Sequence, residues 1–101
     1  LVVNISSLMG SLADNGSGGS IMYRSSKAAL NAAMKSLSID LKGQDIGVLI
    51  FHPGWVQTDM GGANALIDSK TSVGGMCEVI ENFTLAQSGA FIKYDGKTMP
   101  W

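Results

Sequence analysis

Five apolar patterns alternate between strand-like and helix-like along the chain. Leu1-Val2-Val3-Asn4-Ile5 is a near-continuous β-branched and apolar run. Such a run fits a strand buried on both faces of a parallel sheet; a half-exposed antiparallel strand would alternate. Ser6-Ser7 ends it, and residues 8–20, rich in Gly, Ser, Asn and Asp, read as a loop. From residue 21 to about 42, Leu30, Met34, Leu37 and Leu41 recur at helical spacing, and Ala28, Ala29, Ala32 and Ala33 allow close approach of neighbours. Ser20 stands at the expected N-cap and Gly43 at the expected C-cap. Val48-Leu49-Ile50-Phe51 is a second apolar strand, stopped by His52-Pro53-Gly54. Residues 55–70 look irregular, with Gly61-Gly62 as a joint. Thr71 to about Ala86 predicts a second helix, with Val73, Met76, Cys77, Ile80 and Phe83 at three-four spacing. After Gly89, Ala90 to Tyr94 predicts a third strand, Asp95-Gly96 a turn, and Lys97 to Trp101 a tail.

Strand, helix, strand, helix, strand is the order of right-handed crossovers, so the predicted class is α/β: a parallel sheet with helices over its faces. Three strands are few for such a sheet, and the first has a composition that wants neighbours on both sides. The expectation is therefore one partial domain over 1–101, with Leu1–Ile5 an interior strand of a larger sheet, most of which lies before residue 1.

Composition narrows the function classes. Of 101 residues, 46% are apolar, enough for a packed core, and the net charge of −1 gives no electrostatic case for nucleic acid. No apolar run is long enough to suggest a membrane span. The single cysteine, Cys77, excludes an intrachain disulfide and fits a reducing compartment, so a cytoplasmic location is expected. Cys77 falls on apolar helix positions and reads as packing.

The chemistry concentrates at Tyr23 and Lys27. At i and i+4 they project from one helix face, about one turn apart. An isolated phenol ionises only near pH 10, and a neighbouring ammonium and the positive end of the helix dipole both favour its phenolate. Tyr23 is thus placed to act as a general acid or base, and Lys27 has three donors for gripping polyol hydroxyls. A serine at the end of the preceding strand would offer a hydrogen bond to a carbonyl oxygen. A hydrolase triad of His52, Asp59 and a serine is disfavoured, because no Gly-x-Ser-x-Gly elbow exists and His52 before Pro53 reads as structural. His52, Asp59 and Cys77 lack metal-ligand spacing, so no metal site is expected.

Asn4-Ile5-Ser6-Ser7, then Tyr23-x-x-Ser26-Lys27, then His52-Pro53-Gly54-Trp55-Val56-x-Thr58 resembles the C-terminal half of a short-chain dehydrogenase/reductase. Gly89-Ala90-Phe91-x-x-Tyr94-Asp95-Gly96, with Pro100-Trp101, is similar to the C-factor/sniffer-like carbonyl reductase branch. The resemblance covers essentially the whole chain and implies the later part of a Rossmann-like, doubly wound sheet. It implies Tyr23 as the residue that protonates a carbonyl oxygen, Lys27 as the holder of the nicotinamide ribose, and Ser7 as the catalytic serine. Ser11 is the alternative, at a separation from Tyr23 more usual in the family; Ser7, which directly follows the strand, is preferred because the Gly-rich stretch before Tyr23 looks like an inserted loop. By the same resemblance Pro53, Gly54, Val56 and Thr58 line the nicotinamide, the partner is a small carbonyl substrate, and the 21–42 helix is a candidate homodimer surface. NADP(H) is expected ahead of NAD(H). Gly16-x-Gly18-Gly19 has the wrong spacing for the family's dinucleotide turn. That turn, and the residue choosing between the two cofactors, are expected upstream, and the 101 residues alone are expected to be inactive. The competing reading is a truncated, non-catalytic relative that acts, if at all, by binding or dimerising.

Overall fold

Val48–His52 is the strand around which the rest of the chain is layered. The computed structural model describes residues 1–101. Its elements are β1 (Val2–Ile5), a 3-10 turn at Leu8–Gly10, α1 (Ile21–Asp40), a second 3-10 turn at Lys42–Gln44, β2 (Val48–His52), α2 (Ser69–Glu81), a third at Leu85–Gln87, and β3 (Ala90–Lys93). The three strands form one parallel sheet in the order β1-β2-β3, with β2 central. The sequence-predicted α/β class with a parallel sheet is what forms.

Strand alternation sends Leu49 and Phe51 to one face, where with Ile92 they pack against Met76, Val79 and Ile80 of α2 and against Phe83. Val48 and Ile50 take the other face beneath α1, and all four of these β2 residues are fully buried. The run Val48–Phe51 is continuous in its hydrophobicity because both faces are covered.

β1 differs from expectation. Leu1, Val3 and Ile5 are 51, 39 and 49% exposed. Val3 and Ile5 pair in register with Leu49 and Phe51, so they share the α2 face of the sheet. Within these residues β1 is an edge strand, and α2 covers β2 and β3 without reaching it.

Other boundaries shift for local reasons. Ser20 stands at the N-cap of α1, but its left-handed backbone (φ 47°) is not the extended one a side-chain cap needs, and its hydroxyl caps nothing. Gly43 does not end α1: Leu41 does, and the chain runs on through Lys42–Gln44 to Asp45, which takes the left-handed position. The stripe Leu30, Met34, Leu37 and Leu41 is half-buried, while the fully buried positions of α1 are polar, Asn31 and Ser38. α2 begins earlier than predicted because the Asp68 carboxylate accepts from the Thr71 N–H at 2.7 Å, and it ends at Glu81. Cys77 and Val73 on α2 are exposed, contrary to the expected packing role; Ser72 is the buried residue on that helix.

The predicted tail is a structured return. Past the Tyr94–Gly96 turn the chain runs back along β3: the Lys93 N–H donates to Lys97 O and the Met99 N–H to Phe91 O, both at 2.8 Å. Trp101 then stacks on Phe91 with ring centroids 5.5 Å apart, and its carbonyl accepts from the Leu12 N–H at 2.6 Å. No helix is long and apolar enough to cross a membrane.

Candidate active site

Parallel strands in an α/β fold present their C-terminal ends on one side, and loops leaving those ends meet there. β1 ends in Ser6-Ser7, and the two hydroxyls diverge. Ser6 Oγ donates to Asn31 Oδ1 at 2.5 Å, tying the strand end to the buried side of α1. Ser7 caps the 3-10 turn, its hydroxyl oxygen accepting from the Met9 N–H at 3.1 Å. With that lone pair engaged, the Ser7 proton is left to be donated elsewhere. The turn's other leading N–H, that of Leu8, donates to His52 Nδ1 at 3.0 Å. The turn sits hard on α1: a Cβ at Gly10 would lie 2.9 Å from the Lys27 backbone and from Asn31 Nδ2.

Tyr23 lies in the first turn of α1 and Lys27 one turn on, as their spacing requires. Lys27 Nζ is 5.8 Å from the Tyr23 ring centroid and donates to Ile5 O at 3.4 Å, so its ammonium bridges α1 and the end of β1. Tyr23 is half-buried and no hydrogen bond within the chain engages its hydroxyl.

β2 delivers His52-Pro53-Gly54. Ser72, buried on α2, donates to Pro53 O at 2.6 Å and fixes this strand end to the opposite helix. Gly54 adopts φ +86°, and a Cβ there would meet Ile67 Cδ1 at 2.8 Å and the Tyr94 ring at 3.1 Å. Both conformation and space therefore demand glycine. Gly54→Ala is expected to destabilise the protein by about 2 kcal/mol, read from the urea midpoint. The following excursion is held by its own bonds: Trp55 Nε1 donates to Gly61 O at 2.9 Å, Gln57 Nε2 to Ala65 O at 3.0 Å, and the Gly61 N–H to Thr58 Oγ1 at 3.2 Å. The Val56 carbonyl accepts from Thr58, whereas the Val56 N–H has no partner within the chain.

One cleft of about 1160 Å³ is lined by Ser7, Tyr23, Pro53, Gly54, Val56 and Thr58 together. Trp55, Met60 and Met76 give it apolar walls. Lys27 does not line it; its ammonium stands behind Tyr23, towards β1. Ser11 is on a different, smaller pocket of about 430 Å³, buried, with its hydroxyl accepting from the Asp14 N–H. The donor set fits a nicotinamide: an unpaired Val56 N–H for a carboxamide, a floor at Gly54 kept free of a side chain, and an ammonium next to a phenol. Sequence reasoning missed the residues that hold these groups in place. Asn31 and Ser72 are the main ones; His52, read from the sequence as structural, holds the serine turn through its imidazole. Asn31 left a trace, standing four residues after Lys27, about one turn on and on the same side.

The cleft at the C-terminal ends of a parallel sheet, with a Tyr-x-x-x-Lys helix against a serine turn, is the ligand-binding edge of a Rossmann-like α/β protein. The family profile described as short chain dehydrogenase matches residues 1–66. The chain belongs to the short-chain dehydrogenase family. Among curated proteins it is 48% identical over 100 residues to the C-signal of Myxococcus xanthus, covering 99% of this chain and 60% of that protein. It is 38% identical over 101 residues to the 1-hydroxy-2-glutathionyl-2-methyl-3-butene dehydrogenase of Rhodococcus sp. (strain AD45), covering 96% of this chain and 45% of that one. Among solved structures it superposes on the carbonyl reductase Sniffer of D. melanogaster with a TM-score of 0.94 at 48% identity, over 98% of this chain and 40% of that chain. It also superposes on the NADPH-bound carbonyl reductase from chicken fatty liver, with a TM-score of 0.90 at 41% identity over 98% of this chain and 42% of that chain. The chain thus spans about half the length of the relatives it matches.

Proposed function

We propose that these residues are the catalytic portion of an NADP(H)-dependent reductase acting on small carbonyl compounds. The observation that carries the reading is the convergence of Ser7 and Tyr23 on one cleft, with the Lys27 ammonium 5.8 Å from the Tyr23 ring. NADP(H) is favoured over NAD(H) because similar solved reductases are described with bound NADPH or NADP.

Ser7 donates its free proton to the substrate carbonyl oxygen and orients it. Tyr23 then gives its phenolic proton to that oxygen as negative charge builds there. Lys27 stabilises the phenolate left behind and, turned from the Ile5 carbonyl towards the cleft, would hold the ribose hydroxyls. The Val56 N–H and the Gly54 floor would hold the nicotinamide ring, with Pro53 and Thr58 beside it. When bound, the cofactor supplies the hydride that reduces the carbonyl carbon. Trp55 and Met60, exposed along the cleft, give the substrate side an apolar lining, which favours apolar carbonyls.

The bare α2-side face of β1, with Leu1, Val3 and Ile5 exposed, supports the reading that residues 1–101 are one part of a larger sheet whose remainder carries the dinucleotide turn. The outward side of α1, with Met22 and Ile39 exposed and small alanines between, is the surface for a second copy. In the full-length protein Ser7→Ala is expected to lower kcat/KM for NADPH oxidation with a carbonyl substrate about 100-fold, with NADPH affinity unchanged. The assay is the loss of NADPH absorbance with aldehyde and ketone panels. A wild-type protein that oxidises NADPH no faster with carbonyl than without it would overturn the reading.

A further inference from the structure

We infer that His52 is a positioning residue for the serine of this site, its imidazole holding the Ser7 turn in shape by accepting the Leu8 N–H. The inference rests on the reading of Ser7 given above and extends it to a residue of the same cleft that acts through the serine turn.

A 3-10 turn exposes its leading N–H groups, and here there are two. Ser7 takes one with its own side chain. His52 Nδ1 takes the other, from the end of the neighbouring strand β2 and forty-four residues along the chain. His52 is the last residue of β2 and pairs in register with Lys93 of β3. Its backbone is thus fixed by the sheet on which the turn rests. If the imidazole ceased to accept, the Leu8 N–H would lose its partner. The capping geometry of Ser7, whose oxygen is committed to Met9 so that its proton stays free, would relax with it.

An imidazole accepts at Nδ1 only while that nitrogen is unprotonated. The charged groups around it are Lys93 from β3 and Asp14 from the loop after the serine turn. Burial, then the Lys93 charge, lower the His52 pKa from the usual 6.5, against an opposing pull from Asp14. The neutral acceptor therefore prevails at neutral pH. Because the folded pKa lies below the unfolded one, the stability this group contributes is full above the unfolded value and is lost as pH falls through the folded value. The same protonation would release the Ser7 turn, so turnover should carry an acid limb owed to a residue that takes no step in the chemistry itself.

The test uses the full-length protein and three forms: wild type, His52→Asn and His52→Leu. Asparagine carries an acceptor oxygen near the position of Nδ1 and does not titrate; leucine keeps bulk and offers no acceptor. His52→Asn should keep kcat within about 3-fold of wild type at neutral pH and flatten the acid limb. His52→Leu should lose about 10-fold in kcat with NADPH affinity unchanged. An acid limb that persists in His52→Asn, or full kcat in His52→Leu, overturns the proposal. A second readout is independent of turnover: in wild type the Leu8 amide nitrogen shift should titrate with the His52 imidazole, and in His52→Asn it should not. A Leu8 amide indifferent to His52 ionisation also overturns the proposal. A protein without carbonyl reduction but with a titrating Leu8 amide would instead overturn the reading of the reaction and leave the hydrogen bond standing.

Discussion

Tyr23→Phe is expected to cut kcat and kcat/KM together by about 1000-fold or more. The substitution removes one oxygen and leaves the ring. The ring keeps its place in the first turn of α1, and the Lys27 ammonium keeps both its 5.8 Å approach to it and its bond to Ile5 O. The Tyr23 hydroxyl makes no hydrogen bond within the chain, so its loss leaves no orphaned partner. Stability should therefore stay within about 0.5 kcal/mol of wild type, and NADPH affinity within about 3-fold. A variant with those two properties and no turnover isolates the proton donor. One that retains turnover removes Tyr23 from the mechanism.

Phe51→Ala is expected to cost about 3–5 kcal/mol in unfolding free energy. Phe51 is fully buried near the C-terminal end of the central strand, between Ile5 and Ile92 in register. It belongs to the cluster with Leu49 and Ile92 on which Met76, Val79 and Ile80 of α2 pack. Truncation leaves a cavity that neither neighbouring strand can fill, because both are fixed by ladder bonds. The check is the urea midpoint at unchanged m-value. A loss below about 1 kcal/mol would mean that the α2 layer contributes little to the core.

The sequence pattern was most informative where one residue type has one use. Val48–Phe51 is apolar without interruption and is buried without interruption. Tyr23 and Lys27 were legible because helix geometry converts an i,i+4 spacing directly into proximity. Pro53-Gly54 was legible because such a pair stops a strand whatever surrounds it. What could not be read were partnerships between residues distant in sequence. Ser6 with Asn31 and Ser72 with the Pro53 carbonyl involve side chains that look, in the sequence, like ordinary helix-surface polar residues. The tail after Gly96 carries no alternation, since its pairing with β3 rests on main-chain bonds and on Trp101 meeting Phe91. Cys77 misled for the opposite reason: on α2 the inward direction is set by Ser72 and Gly75, small enough for close approach to the sheet, and that turns Cys77 outwards. The β1 run was read as a doubly covered strand from composition, and composition cannot say which coverings lie within a given stretch of chain.

The ties on the segment around Ser7 also fix an order of assembly. Ser6 leans on Asn31, Leu8 on His52 and Leu12 on Trp101, every one a long-range partner reached only after another element has docked. Closing such loops carries an entropic cost before any contact offsets it. As the chain leaves the ribosome, residues 6–12 emerge before α1, β2 and the return segment after β3, and have nothing to settle against until these have followed. The site's serine is thus synthesised ahead of every element that sets it, and in unfolding by heat or urea its turn should be among the first to open.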